Sequence, residues 1–306
     1  MRTSGNMNTL SIIIPSYNSG ETIGRTLTGI RCQSKKGIVI EVIVVDSSDD
    51  QTTKDIISRH LSERDRLITA GVRVMPAISR NIGAEHATGD VLAFIDSDTI
   101  PAPDWTEKLL ECFQNGRLAG GGSISLPDFQ KRGFLPSAQY YLQLNEFMDW
   151  GQARVKKFVP SCNLFCDRAL FERSGGFPII RTAEDVVFGL RVSRQIPVWF
   201  IPEMKVCHVF REDLKSFLMN EFILGKGNLL YRKHQYPRAF YYRGIWPMLF
   251  LPGFAAIKLA RISFRVFRTG LRPALRFLEV FPAFFLGLLF WAIGFAGGAF
   301  HEQEKV

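Results

Sequence analysis

Two aspartates one residue apart, Asp96 and Asp98, follow a short apolar run from Val91 to Ile95. An uncharged run of this length, entered from the turn Thr88-Gly89-Asp90, is typical of a buried strand in a parallel sheet. Ligands of open α/β sheets bind beyond the carboxyl ends of the strands, where both carboxylates would lie. Mg²⁺ and Mn²⁺ prefer oxygen ligands and usually take one or two carboxylates together with substrate phosphates. The pair therefore predicts a site that holds a divalent ion against a diphosphate, and the alternative for this motif alone is an acidic surface turn.

The chain before this pair alternates between predicted strands and helices. Strands are predicted at Ser11 to Ile14, at Glu41 to Val45, and at either Leu67 to Ala70 or Val72 to Met75. Helices are predicted from Asn18 or Ser19 through Gln33, from Gln51 to His60 and from Ala77 to Ala87. Such alternation favours a parallel sheet with right-handed crossovers, so Asp46 and Asp96 should lie at the same sheet edge. The predicted fold class is α/β.

Four motifs in this order resemble the signature of family 2 glycosyltransferases with the GT-A fold, a Rossmann-like, mostly parallel sheet with flanking helices. They are Ile13-Ile14-Pro15-Ser16-Tyr17-Asn18, Val44-Val45-Asp46-Ser47-Ser48-Asp49-Asp50, Ser79-Arg80-Asn81-Ile82-Gly83 and Asp96-Ser97-Asp98. Two later segments are similar to the family's acceptor-side block: Ser174-Gly175-Gly176-Phe177, and Glu184-Asp185 with Leu190-Arg191. The resemblance covers Leu10 to Lys233.

This resemblance implies a donor site for a nucleotide-sugar, with a UDP-sugar favoured. Its predicted residues are Pro15, Tyr17, Asn18, Asp46, Arg80 and Asp96. Tyr17 and Asp46 would meet the nucleobase, Arg80 would lie near the base or the diphosphate, and Asp96 would reach the ribose.

The resemblance also implies the reacting groups. Asp98 would bind Mn²⁺ or Mg²⁺, and His208 resembles a histidine that some relatives use as a further metal ligand. Asp185 would be the general base that takes a proton from the acceptor hydroxyl while the metal neutralises the departing diphosphate. One displacement of this kind inverts the configuration at the sugar carbon.

Each residue has a structural interpretation as well. Asp46 and the pair Asp49-Asp50 suit helix N-termini, where acids interact favourably with the helix dipole. Glu184-Asp185 suits the start of a helix that ends near Arg194, Arg80 suits a solvated helix face, and a single histidine such as His208 is often structural. The joint occurrence of the motifs favours the active-site interpretation.

Two departures from the family pattern limit the product. Val187 stands where many relatives have a further acid, and the Gln-x-x-Arg-Trp pattern of processive polysaccharide synthases is missing. The sequence therefore predicts transfer of one sugar. A nucleotidyltransferase is the alternative enzyme, but such an enzyme is expected to have a glycine-rich loop with a basic residue after the first strand, and Pro15-Ser16-Tyr17-Asn18 offers neither. The other alternative is a membrane scaffold without turnover.

The net charge of +9 comes from one part of the chain. Between Gly225 and Leu278 there is no acidic residue, and eleven basic residues lie among aromatic ones. This mixture favours a lipid surface over nucleic acid. The five cysteines lack a paired metal spacing and are expected to remain reduced thiols of the core.

The C-terminal segment is predicted to associate with a membrane. Lys258, Arg261, Arg265 and Arg268 recur at helical spacing, which suits a helix in the headgroup region. Val280 to Phe300 carries no charge and is long enough to cross a bilayer, which needs about 20 apolar residues.

The predicted domains are therefore 1–235, a catalytic domain, and 236–306, a membrane-associated segment with a transmembrane helix at 280–300. No secretion signal is predicted, so the catalytic domain should face the cytoplasm. The positive-inside tendency favours one crossing with His301 to Val306 outside, and a shallow hairpin is the alternative. A helix at Pro136 to Trp150 is predicted either to pack in the core or to line the acceptor side of the cleft. The acceptor is expected to be lipid-linked or a saccharide.

Overall fold

Nine strands form one mixed sheet in the computed structural model, which describes residues 9–33 and 37–300. The strands are β1 (Thr9–Ser16), β2 (Val39–Asp46), β3 (Arg66–Thr69), β4 (Val91–Phe94), β5 (Thr99–Pro101), β6 (Ala119–Ser125), β7 (Arg154–Lys156), β8 (Leu164–Asp167) and β9 (Val198–His208). Their order is β3-β2-β1-β4-β8-β6-β9-β5, and β7 pairs with β9. Strands β5, β7 and β8 run against the direction shared by the other strands.

The predicted parallel core of the sheet is confirmed. Strands β1 and β4 are buried almost throughout, which explains why the sequence shows continuous apolar runs instead of alternation. Of the two alternatives for the third strand, the structure has Arg66–Thr69 and no strand at Val72 to Met75. Gly71 explains this difference because its φ of +73° turns the chain away from the sheet.

The helices flank the sheet or form a separate bundle. The helices near the sheet are α1 (Ile23–Arg31), α2 (Gln51–His60), α3 (Pro76–His86), α4 (Trp105–Gln114), α6 (Arg168–Arg173) and α7 (Glu184–Ser193). The others are α5 (Phe134–Leu144), α8 (Leu214–Gln235), α9 (Trp246–Leu249), α10 (Leu251–Arg268), α11 (Leu271–Glu279) and α12 (Phe281–Gly297). Asp50 caps α2 by accepting a hydrogen bond from the Thr53 N–H. The structural role expected for the pair Asp49-Asp50 at a helix N-terminus is therefore present at Asp50.

The chain divides into two compact units. The sheet unit comprises Met1–Ser125 and Asp149–His208, and the helical unit comprises Leu126–Met148 and Val209–Val306. The helical unit therefore combines an internal segment with the C-terminal part of the chain. The predicted functional division at residue 235 stays a prediction, and the predicted outer segment His301 to Val306 lies outside the described residues.

Helix α3 packs closely on the sheet because of a glycine in the third sequence motif. A Cβ on Gly83 would lie 2.4 Å from Cγ2 of Ile13, a residue in the middle of β1. Only glycine permits this approach, which fixes α3 against β1 and with it the position of Arg80 on the same helix.

The helical unit is built around α8 and α12. A Cβ on Gly225 of α8 would lie 2.0 Å from the Trp291 carbonyl oxygen, and a Cβ on Gly294 of α12 would lie 2.0 Å from the Phe222 carbonyl oxygen. Among the described residues, one helical stretch, Phe281–Phe300, has the length and apolar composition needed to cross a membrane. Half of its most apolar 18-residue segment is buried. The crossing itself stays a prediction.

The basic residues of α10 do not share one environment. Arg265 forms an ion pair with Glu146 and donates to Asn145 Oδ1 at 3.0 Å. The Lys258 ammonium lies 4.4 Å from the centroid of the Trp291 ring, whereas Arg261 and Arg268 are exposed. The spacing that predicted a common basic face thus places two of these four side chains against their own unit.

Candidate active site

Two carboxylates and an imidazole lie together at the carboxyl edge of the sheet. Asp96 and Asp98 follow β4, and His208 ends β9, where it stands opposite Thr99 in the antiparallel pairing with β5. One ligand atom from each of the three lies within 4.8 Å of the others, and His208 Nε2 is 3.5 Å from Asp98 Oδ1. Oxygen ligands with one imidazole suit a divalent ion such as Mn²⁺. The residues therefore fit a metal of the kind predicted.

Arg80 connects this cluster to α7. Its side chain is 3% exposed; one terminal nitrogen lies 2.6 Å from Asp96 Oδ1 and the other 2.8 Å from Glu184 Oε1. Burial lowers the pKa of Arg80, but the charges of Asp96 and Glu184 together outweigh it, so the pKa is raised above its usual value. Arg80 is thus a buried cation between two acids and not the solvated helix residue of the structural interpretation. Its Nε–H has no acceptor among the residues that the structure describes.

Asp185 lies in the first turn of α7, next to Glu184. Its Oδ1 accepts from its neighbour Val186 N–H at 2.8 Å, and Oδ2 accepts from Ser161 N–H at 3.3 Å. Burial, followed by the charge of Glu184, raises the pKa of Asp185 to about 7. A carboxyl group with this pKa has the acid–base range needed of a general base near neutral pH. Just before the helix, Ala183 has a φ of 64°, an uncommon conformation for a residue with a side chain.

One thiol shows that these acids share a neighbourhood. Burial raises the pKa of Cys162 well above its usual value, and the charges of Asp96, Asp98 and Asp185 raise it further. Cys162 is buried beside Ser161, the residue whose N–H binds Asp185. The Arg80 bridge from Asp96 to Glu184 and the Ser161–Asp185 hydrogen bond thus bring the acidic pair and the predicted base into the same part of the sheet unit.

Asp46 lies at the end of β2, fully buried. Ser16 and Ser48 both donate to its Oδ1, at 2.8 and 2.6 Å, and Oδ2 has no hydrogen-bond donor in the described part of the chain. An acceptor held in this way is suited to a ligand N–H, since a buried carboxylate oxygen without a donor is costly.

The loop after β1 is tied to the loop after β2. The Asn18 N–H donates to Ser48 Oγ, the Asn18 Oδ1 accepts from the Asp49 N–H, and the Tyr17 hydroxyl donates to Asp49 Oδ2 at 2.8 Å. The Arg73 guanidinium lies 4.3 Å from the centroid of the Tyr17 ring. Tyr17 is thereby held by a charged group on one face and by a carboxylate at its hydroxyl.

The remaining predicted donor residue, Pro15, is buried within β1 opposite Val45. Three further residues of the site, Ser16, Ser48 and Arg73, were not predicted from the sequence. The two serines lie inside the motifs that contain Tyr17 and Asp46, so their positions were available as a signal. Nothing in the sequence around Arg73 pointed to Tyr17. Among the cysteines, Cys112, Cys162 and Cys166 are buried, whereas Cys32 is exposed, contrary to the expected core position.

Comparisons with known proteins place the chain in a family. Residues 11–173 match the model of glycosyl transferase family 2. The chain is 26% identical over 225 residues to glycosyltransferase AglE of Haloferax volcanii, which covers 72% of this chain and 73% of that protein. It is 29% identical over 184 residues to the glucosyl-dolichyl phosphate glucuronosyltransferase of the same organism, which covers 55% of each. The chain thus spans little more than half of the second relative.

Solved structures share the fold. A mannosyltransferase from Pyrobaculum calidifontis, in complex with GDP-Man and Mn²⁺, superposes with a TM-score of 0.59 at 19% identity and covers 95% of this chain and 86% of that one. GalNAc-T7 with UDP, GalNAc and Mn²⁺ gives a TM-score of 0.55 at 15% identity, covering 75% of this chain and 51% of that one. These likenesses show the GT-A fold. With the family model matching more than half of its residues, the chain belongs to glycosyl transferase family 2 and is a glycosyltransferase.

Proposed function

We propose that the chain is a divalent-metal-dependent, inverting glycosyltransferase that moves one sugar from a nucleoside-diphosphate sugar to a lipid-linked or saccharide hydroxyl at the cytoplasmic face of a membrane. The observation that carries this proposal is the Arg80 bridge. It joins Asp96 of the acidic cluster to Glu184, the neighbour of Asp185, and so holds a metal-binding set and a base of suitable pKa in one arrangement.

The donor nucleotide binds along the ends of β1, β2 and β4. The Oδ2 of Asp46 accepts a ring N–H of the base, because it is a buried acceptor at the end of β2 that has no protein donor in the described ranges. Tyr17 supports the base with its ring, and Asp96 receives the ribose. Uracil is the favoured base by the sequence resemblance, and a ring N–H is also present in guanine, so UDP- and GDP-sugars are both candidate donors.

Asp98 and His208 would hold Mn²⁺ or Mg²⁺, with Asp96 at the third position of the cluster. When bound, the ion neutralises negative charge on the leaving diphosphate. Asp185 accepts the proton of the acceptor hydroxyl as that oxygen forms its bond to the anomeric carbon and the diphosphate oxygen leaves from the opposite side. Attack and departure on opposite faces invert the anomeric configuration.

The acceptor side rests on composition and on a relative. The described chain contains an apolar helix that could reach lipid, and one relative is named for glucosyl-dolichyl phosphate, a lipid-linked sugar. The missing Gln-x-x-Arg-Trp pattern favours one added sugar over a polymer.

The test is a donor panel with membrane lipid extract. Purified protein with Mn²⁺ is incubated with UDP- and GDP-sugars; we expect release of nucleoside diphosphate and a mass increase of one sugar on a lipid product. Release of pyrophosphate would instead indicate a nucleotidyltransferase, and no turnover with any donor would favour a scaffold.

The Asp185→Asn variant tests the base. It keeps the size of the side chain and removes the proton acceptor, so transfer should be lost while donor binding, measured by calorimetry, changes little. Asp167→Asn is a matched control, because Asp167 caps α6 through the Leu170 N–H. Full transfer activity in Asp185→Asn would remove Asp185 from this role.

A further inference from the structure

Exposed apolar side chains are frequent in the helical unit, and two neighbouring helices of that unit carry six of the most exposed ones. Helices α10 and α11 expose the following large hydrophobic residues, each between 51% and 74% accessible: Ile257, Phe264, Phe267, Leu271, Leu275 and Leu278. In the sheet unit, the described large hydrophobic residues with comparable exposure are Val72, Val155 and Ile179. Clustered exposure of this kind marks an interaction surface, whereas single exposed residues are ordinary.

Positive charge accompanies this surface. Arg261, Arg268 and Arg272 are exposed on the same two helices, and the Arg268 guanidinium lies 5.3 Å from the centroid of the Phe264 ring. No acidic residue occurs between Gly225 and Leu278. Large apolar side chains with arginines beside them complement an anionic lipid surface, which offers hydrocarbon and negative headgroups together.

The side chains behind this surface hold α10 against its own unit. Ile262 and Val266 are buried, and Arg265 pairs with Glu146. This arrangement directs part of the positive charge inward and leaves Ile257 and Phe264 outward. The outward side of α10 is therefore more apolar than the spacing of its basic residues predicted.

The apolar helix α12 packs against the same unit on one side, while Phe285, Leu289 and Ile293 on its other side are exposed. Helix α8 accompanies it along its length: Phe217 lies against Gly287, Gly225 against Trp291, and the Lys233 ammonium donates to the Gly298 carbonyl at 2.8 Å.

Helix α8 has polar residues in its middle. Glu221 is 1% exposed and accepts from Gln143 Nε2 at 2.5 Å, and Lys226 and Asn228 follow in the next turns. If α12 crossed the bilayer in this packing, α8 would carry the buried Glu221 and the partly exposed Lys226 and Asn228 to the depth of the hydrocarbon core, which is costly. A position in the plane of the membrane avoids that cost.

We infer that the helical unit binds an anionic membrane through the outward face of α10 and α11 and sits within one leaflet, with α12 in the plane of that leaflet and not as a crossing helix. This inference rests on the membrane location given in the proposed function and replaces the single crossing by an in-plane position.

Vesicle flotation tests the surface. The full-length protein is mixed with unilamellar vesicles of phosphatidylcholine alone or of phosphatidylcholine with a quarter phosphatidylglycerol. We expect it to float with the anionic vesicles and at least tenfold less with the neutral ones. The double variant Phe264→Glu, Leu275→Glu should partition at least tenfold less than the parent into anionic vesicles.

The control is Val155→Glu, Ile179→Glu, which adds the same charges to exposed apolar positions of the sheet unit. Circular dichroism and the melting temperature show that each variant is folded. Equal flotation of the parent and the Phe264→Glu, Leu275→Glu variant would overturn the inference, as would failure of the parent to bind either vesicle.

Epitopes at the two chain ends test the position in the leaflet. In inside-out membrane vesicles, a protease added outside should remove both epitopes at the same rate. Protection of the C-terminal epitope alone would show a crossing and overturn the in-plane position. Nucleoside diphosphate release by the parent protein, assayed in detergent, separates the two proposals. If the parent releases no nucleoside diphosphate, the proposed function is wrong. If the parent releases nucleoside diphosphate but does not float with anionic vesicles, this inference alone is wrong.

Discussion

Replacing Arg80 by Met perturbs the contact on which the proposed site depends. The variant keeps an unbranched side chain of similar length and leaves the carboxylates of Asp96 and Glu184 without their shared cation. Breaking a buried ion pair by removing one partner costs about 3–5 kcal/mol. The side chains of Asp96 and Glu184 are 27% and 13% exposed, so solvent compensates part of this loss. We expect a loss near the lower end, about 3 kcal/mol, which lowers the melting temperature by roughly 6–12 °C.

The same variant should change the pH dependence of transfer. The pKa of Asp185 is raised to about 7 by burial and by Glu184, while Arg80 lowers it. Without the guanidinium the pKa of Asp185 rises further. Because the base must be ionised, the acidic limb of kcat/KM should move to higher pH, and the rate at pH 7 should fall.

The assay measures nucleoside diphosphate release from pH 5 to pH 9 with a fixed Mn²⁺ concentration, together with thermal unfolding. Arg80→Lys is the control, since it keeps the charge but cannot donate to both carboxylates in the planar geometry of a guanidinium. We expect an intermediate stability and a smaller pH shift. An unchanged melting temperature and an unchanged acidic limb in Arg80→Met would refute the bridge.

Three further variants address separate parts of the molecule. Asp46→Asn places an N–H₂ or a neutral oxygen where the base N–H needs a carboxylate. Because hydrogen bonds to charged groups contribute about 1.5–3 kcal/mol, the Kd for the donor should rise by roughly 10- to 150-fold. An unchanged Kd in calorimetry would exclude this contact. His208→Gln removes one predicted metal ligand, so the Mn²⁺ concentration for half-maximal activity should increase at least tenfold, with little change in the free energy of unfolding. An unchanged Mn²⁺ dependence would leave His208 with a structural role. Gly225→Ala drives a Cβ toward the Trp291 carbonyl and should lower the free energy of unfolding by about 1–3 kcal/mol. The control is Gly253→Ala, whose Cβ meets no atom within 4 Å and should not lower the free energy of unfolding. Equal stabilities of the two variants would contradict the close packing of α8 on α12.

The sequence alone was sufficient for the α/β fold class and for the alternation of strands and helices along the chain before Asp98, although it left two positions open for the third strand. Continuous apolar runs such as Val91 to Ile95 occur where a strand is covered on both faces, and this pattern is local. The motifs also placed Asp46 and Asp96 at strand ends, because the carboxyl ends of neighbouring parallel strands meet at one edge of the sheet.

Only the tertiary structure decided which distant groups meet. Arg80 lies 104 positions from Glu184 along the chain, and no helical or strand period relates them; the approach of α3 to β1 at Gly83 and the entry into α7 at Ala183 set their distance. The resemblance suggested His208 as a further metal ligand, but the pairing of β9 with β5 is what brings it to the acidic pair. In α10, the spacing of the basic residues was visible in the sequence, but the direction in which their side chains point was not. Glu146 and Trp291, which lie elsewhere in the helical unit, determine which of these side chains face inward. Periodicity determines which residues share a helix face, and packing against distant partners determines what that face contacts.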